Sequence, residues 1–224
     1  MLSQDFNEKA KNYNIEALKL DDDSLQFYLF LESIEFYQGN YEKTLEYVEK
    51  GYAIDSTHIS VLESLGFDYL YVEKFDESLK YYKKYIEKLE ARGQFKYNGT
   101  HRIGYSYWKN GYKKEAKFYF DKQIEYCNND IQYGRQYAAQ KYAYYDLAAV
   151  YAFLGDKDQA FKNLRVINER QMFPSWAVWY IKKDPLFEGI RNEPEFQQIV
   201  RDMEAKYNAE HERVRKWLED QGML

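Results

Sequence analysis

Of the residue patterns in this chain that could do chemistry, the most suggestive is His211-Glu212-Arg213-Val214-Arg215, which opens like the metal-binding HExxH of zinc peptidases. That site needs a second imidazole one helical turn after the first, so that both rings share the ion. Arg215 occupies the place instead. His58 and His101, the other histidines, are far away in sequence and offer no third ligand. Asp21-Asp22-Asp23 has the carboxylates of a calcium loop without its glycine or distal glutamate, and it falls where a turn would cap a helix. Cys127 is the only cysteine, which leaves no intramolecular disulfide and suggests no thiolate metal site. There is no GxxxxGK phosphate loop and no GxSxG nucleophile elbow. Glu32 and Glu35 are a carboxylate pair of the kind that does acid–base work. On an amphipathic surface helix they are expected to be solvated. No residue is therefore assigned to catalysis, a cofactor or a metal, and the chain is expected not to be an enzyme.

The elements that carry these residues are helical. The chain has 224 residues, 25 of them Tyr and 14 Phe, with only 3 Pro, all in the last quarter. Almost nothing in the first 170 residues forbids helix. A net charge of −5 argues against nucleic acid as a directly contacted partner. Its uneven placement, acidic up to residue 90 and mildly basic beyond, reads as a solvated surface. No apolar run nears the ~18 residues of a membrane span, and the start lacks a signal peptide's basic and apolar regions. A cytoplasmic location is expected, or a periplasmic one if a membrane anchor precedes the segment.

Four stretches align: "GNYEKTLEYVEKGYAID" from Gly39, "EKFDESLKYYKKYIEKL" from Glu73, "GYKKEAKFYFDKQIEYC" from Gly111 and "GDKDQAFKNLRVINERQ" from Gly155. Each begins with a turn, places a small or hydroxyl residue five positions on (Thr44, Ser78, Ala116, Ala160), and continues with apolar residues at helical spacing. Upstream of three turns, Leu65-Gly66, Ile103-Gly104 and Leu147-Ala148 pair a large residue with a tiny one. Tyr69, Tyr107 and Tyr151 follow three residues later. A tiny residue at a crossing lets two helices approach, and the aromatic fills the space beside it. Gly39 to Glu73 is 34 residues and Leu31 to Leu65 again 34. In the Leu31 unit Glu32 stands where a small residue is expected and Glu35 where an aromatic is.

This unit resembles the tetratricopeptide repeat, a helix–turn–helix of that length. The resemblance implies an all-α, right-handed solenoid of such repeats with a C-terminal helical cap. Residues 1–24 read as the second helix of a repeat whose first helix is absent, with Ala10, Ala17 and Asp21 matching Thr44, Gly51 and Asp55. The expectation is the C-terminal part of a longer protein, a natural half-repeat cap being the alternative. Residues 25–172 form the array and 173–224 the cap and final helix. The spacing grows to 38 from Leu65 to Ile103 and to 44 from Ile103 to Leu147. "ARGQFKYNG" reads as a longer loop, and "CNNDIQYGRQYAAQK" as lengthened helices, with Tyr137 to Tyr151 unbroken. Asp184-Pro185 starts a short plug helix, and "DPLFEGIRNEPEF" resembles the closing segment of arrays in bacterial signalling and transcriptional regulators.

The family's concave face is lined by the first helix of each unit. Carried over, its inward places hold Phe67 and Tyr71, then His101, Tyr105, Trp108 and Lys109, then Tyr142, Tyr145 and Phe153. Such a groove would take an extended peptide or a helix. The family's carboxylate clamp of Lys, Asn and Arg is not matched, since only His101, Arg102 and Lys109 are nearby. The expected function is a protein- or peptide-binding scaffold module; the first alternative is self-association into a weak homodimer through the final helix, and the second, less favoured, is a small-ligand sensor or enzyme, which would need a closed pocket with convergent polar groups.

Overall fold

A computed structural model of the chain describes residues 12–13, 15–16, 24–95, 97–171 and 175–222. The half-repeat expected at residues 1–24 lies, apart from those four positions and Ser24, outside the described residues. The described residues form helices α1 (Ser24–Gln38), α2 (Tyr41–Ile54), α3 (Ile59–Tyr71), α4 (Phe75–Ala91), α5 (His101–Lys109), α6 (Lys113–Gln132), α7 (Gln136–Ala139), α8 (Tyr142–Leu154), α9 (Lys157–Asn168), α10 (Ser175–Lys183) and α11 (Pro194–Asp220), with a 3-10 segment at Pro185–Ile190. No strand occurs among them, and the fold is all-α, built from consecutive helix pairs as the resemblance implies. Two compact units are present. One holds the described residues up to 95 together with Ser106–Ala116; the other holds Tyr97–Tyr105 and the chain from Lys117. In the first, α1 packs on α2, α2 on α3, and α3 on α4; in the second, α8 packs on α9 and on the 3-10 segment, and α11 on α9 and α10.

The four aligned turns share one hydrogen-bond pattern. Gly39, Glu73, Gly111 and Gly155 all adopt positive φ, at 80°, 60°, 83° and 84°. The next residue's N–H reaches five back: Asn40 to Glu35 O, Lys74 to Tyr69 O, Tyr112 to Tyr107 O, Asp156 to Tyr151 O, each at 2.9–3.0 Å. This is the Schellman closure, which satisfies carbonyls that a helix end leaves open. Glycine costs nothing in that conformation, whereas Glu73 bears the side-chain penalty of the left-handed region.

The small positions behave as the spacing predicts, since Thr44, Ser78, Ala116 and Ala160 are all fully buried. Ser78 Oγ lies 2.6 Å from Gly66 O and 2.7 Å from Ser106 Oγ, so it bridges backbone and hydroxyl at the crossing. A Cβ built on Gly66 would stand 2.7 Å from Tyr82 Cδ1 and 2.8 Å from its Cγ, at the rigid root of the ring.

Three sequence expectations meet corrections or refinements. The stretch from Tyr137 to Tyr151 is broken, because α7 ends at Ala139 and Lys141 takes φ 66° before α8 starts. The expected lengthening falls on α6, with 20 residues. Glu32 and Glu35 are not solvated: they are 7% and 3% exposed and belong to the core face of α1. Their place in the repeat, equivalent to that of Gly66 and Tyr69 one 34-residue period later, is stronger than their charge.

Two glycine substitutions should separate the effects at work. Gly66→Ala is expected to lower stability by about 1–3 kcal/mol through overpacking against Tyr82. Gly51→Ala, whose Cβ would meet Val61 Cγ2 at an ordinary 3.5 Å, should leave stability unchanged or raise it by up to about 1 kcal/mol through helix propensity. Chemical denaturation of both variants checks this, and equal effects would remove the crossing argument.

Candidate functional site

The residues expected to line a binding face divide by exposure. In the first unit, Phe67 and Tyr71 are half-buried on α3 with ring centroids 4.7 Å apart. Phe36 of α1 lies 4.8 Å from Phe67 and 5.0 Å from Tyr71, and Tyr41 of α2 lies 5.6 Å from Phe36. Ring contacts of this kind, tilted or edge-on, are favourable beyond the area they bury. The same unit exposes Trp108, at 38%, and Lys109 at the end of α5. Lys113 Nζ lies 3.4 Å from the Trp108 ring centroid and donates to Trp108 O at 3.0 Å, while Lys109 Nζ lies 4.6 Å from the Phe75 ring. This surface thus presents aromatic faces with ammonium groups over them.

In the second unit, Tyr142 and Phe153 are half-buried, but His101, Tyr105 and Tyr145 are core residues. The expectation that these three present ligand-accessible surface is corrected. Tyr105 packs edge-on against Phe153 at 5.4 Å. Tyr145 packs edge-on against Phe187 at 5.5 Å and donates its hydroxyl to Asp184 Oδ2 at 3.0 Å. The 3-10 plug thus covers Tyr145 through Phe187.

The buried His101 stands beside a polar cluster that sequence reasoning missed. Asp146 of α8 is 4% exposed, and its Oδ2 accepts from Tyr137 OH at 2.7 Å, Gln123 Nε2 at 2.9 Å and Gly99 N–H at 3.2 Å. Gln123 Nε2 also lies 3.1 Å from Cys127 Sγ, and Thr100 Oγ1 reaches Gln123 Oε1 at 3.2 Å. Burial pushes the Asp146 carboxyl up to about 6, against the pull of the Tyr137 hydroxyl, the Arg102 charge and the Gly99 N–H. His101 Nδ1 is 3.6 Å from Asp146 Oδ1, too far for a hydrogen bond. Burial, then the nearby Arg102 charge, holds His101 well below its usual range, so its imidazole is neutral. Burial also raises the Cys127 thiol, which is no nucleophile at neutral pH. Gly99 and Tyr137 come from the two segments that stretch the repeat. Asp146 therefore pins both insertions to the array, a structural task.

A second cluster fastens the C-terminal cap. Asp184 is fully buried, and its Oδ2 also accepts from Arg102 Nη2 at 3.1 Å, while Oδ1 caps the 3-10 segment through Leu186 N–H at 3.0 Å. Arg102 lies over the Tyr180 ring at 4.8 Å, and Arg191 Nη2 donates to Asp184 O at 2.8 Å. Only the Asp-Pro cap signal in this cluster was legible in the sequence. Among the described residues no group of three His, Cys, Asp or Glu is arranged to hold a metal, and no helix is long and apolar enough to cross a membrane.

Asp184→Ala should destabilise the second unit by about 3–5 kcal/mol, the cost of leaving a buried cation without its partner. Asp184→Asn, which keeps an acceptor for Leu186 N–H, should lose less. Hydrogen exchange would show the loss first in the 3-10 segment and in Phe196–Met203 of α11. Uniform loss across the chain would mean that the cap is not fastened here.

Comparison with curated proteins finds none that matches the chain. The family model of the tetratricopeptide repeat matches residues 101–130, the stretch from the first residue of α5 into the last turn of α6.

Proposed function

We propose that the chain is a protein- or peptide-binding scaffold whose contact surface centres on the Trp108–Lys109 end of α5. The observation that carries this is the exposure of a tryptophan at the end of a helix that is otherwise largely core, within the stretch matched by the repeat family. Large aromatics on a surface are the usual anchors of protein contacts. Phe67 and Tyr71, half-buried on the earlier inner helix α3, extend the aromatic surface of the same unit. Lys109 and Lys113 favour a partner with acidic groups beside an apolar anchor. The net charge of −5 speaks against direct nucleic-acid contact. The likeness of the segment from Asp184 to Phe196 to array closures in bacterial signalling and transcriptional regulators supports a place in such a regulator, in the cytoplasm. Neither cluster of buried polar groups offers a reacting residue, which supports a non-catalytic role.

The test starts from a random peptide library selected on the whole chain, with binders measured by fluorescence anisotropy. Trp108→Ala and Lys109→Glu should each weaken the selected peptides at least tenfold, about 1.4 kcal/mol, with unchanged circular dichroism. Tyr133→Ala, exposed at 65% in the other unit, should leave them unchanged. Peptides indifferent to Trp108 would place binding elsewhere.

A second reading is self-association through the end of α11, where Val214 and Trp217 are 36% and 52% exposed. It predicts a concentration-dependent dimer in light scattering that disappears on truncation after Tyr207. A monomer at all concentrations would end that reading.

A further inference from the structure

We propose that Glu32 and Asp68 form a proton-held latch that fastens α1 to α3 while they share a proton and loosens when the proton is lost. Glu32 of α1 and Asp68 of α3 are 7% and 2% exposed, and their carboxyls face each other beside the Phe36–Phe67 contact of 4.8 Å that joins the two helices. Neither Asp68 oxygen has an N–H or O–H donor within reach among the described residues. A carboxylate only accepts, so a bond between two carboxyls requires a proton on one of them. The other buried carboxylates differ in kind: Asp146 and Asp184 each have three donors, and Asp130 has Arg135 at 2.9 Å.

The neighbouring charges do not relieve the pair. On α1, Glu35 is taken by Asn40 Nδ2 at 2.7 Å, and on α3, Glu63 bonds Tyr85 of α4. Among the described residues no titratable group of α2 or α4 acts on either carboxyl, and each feels only the other. The lysines here act elsewhere: Lys43 and Lys50 on Glu46, Lys88 on Asp55, Lys74 over Tyr69, Lys80 and Lys84 over Tyr81, and Lys83 over Tyr107 and Tyr112. Burial raises Glu32 to about 7, and burial together with the Glu32 charge raises Asp68 well above the carboxylate range.

The sign follows from linkage. A carboxyl raised in the folded state binds its proton more tightly there than in the opened chain. The latch is therefore fully closed below about pH 4, the unfolded range, and weakens as pH rises through the folded values. Glu32 lies one turn before Phe36, and Asp68 lies between Phe67 and Tyr71, so opening the latch would disturb the aromatic cluster of the first unit. The latch itself does not depend on what that cluster binds.

Hydrogen exchange of the whole chain between pH 5.5 and 7.5, corrected for intrinsic rates, reads the opening of α1 and α3. The wild type should open at least roughly tenfold more per pH unit, the slope of one proton released, and more steeply where both carboxyls still hold protons. Asp68→Asn places a permanent N–H donor against Glu32, and Glu32→Gln does the same towards Asp68. Either variant should flatten the slope and protect α1 and α3 at pH 7.5. Opening that is independent of pH in the wild type, or a slope that persists in both variants, overturns the latch. If one variant does not fold, the other decides.

Discussion

A carboxylate taken out of water must find donors or keep its proton, and six acidic residues among those described face that demand. The answers they receive organise the molecule. Asp146 gathers a phenol, an amide and a backbone N–H, and by doing so holds two insertions that a bare helix–turn–helix repeat would not contain. Asp184 gathers a guanidinium, a phenol and the first free N–H of the 3-10 segment, and this is how the last helices close the apolar end of the second unit. Glu35 has the Asn40 amide at the turn. Asp68 finds no donor among the described residues and faces only Glu32. The same physical requirement thus produces rigid joints in one unit and a conditional one in the other.

The repeat was legible because its signal is steric and periodic. A residue facing a helix crossing must be small whatever the partner is, so Thr44, Ser78, Ala116 and Ala160 identified buried positions without any structure. The turns were legible for a similar reason: the left-handed residue of a Schellman closure prefers glycine, and three of the four aligned turns supply it. Glu73 shows that the geometry is imposed by the repeat even where the residue resists it. What misled was charge. Glu32 and Glu35 occupy the places of Gly66 and Tyr69 in the 34-residue alignment, and position alone assigned them to the core. Weighing them as solvated acids overrode the stronger signal.

The candidate site was only partly legible, and the reason is geometric. On a helix each residue advances by about 100°, so a place next to a core position becomes surface or interior depending on what covers it. Trp108 and Lys109 stay outside. Tyr145, read from the same kind of place, is covered by Phe187 and bonded to Asp184, and no periodicity announces a plug supplied from forty residues away. Asp146, Gln123 and Tyr137 left no signal at all, since each makes sense only once the inserted segments are folded over α8.

Stability in helical arrays is nearly a sum of local terms, each unit leaning on its neighbours. Under that rule a single unsatisfied contact does not unfold the chain; it sets the opening free energy of the segment that holds it. The Asp184 and Asp146 clusters therefore tie the second unit's interior together, with Tyr105, Tyr145 and Phe187 packed inward and the Tyr137 and Tyr145 hydroxyls committed to buried acceptors. The first unit keeps Phe67, Tyr71 and Trp108 nearer the surface and ties α1 to α3 through a contact that depends on a proton. A binding face needs side chains that are positioned but not consumed by the core. In this molecule that condition is met where the polar interior is least satisfied, which is why the candidate surface and the candidate latch fall in the same unit.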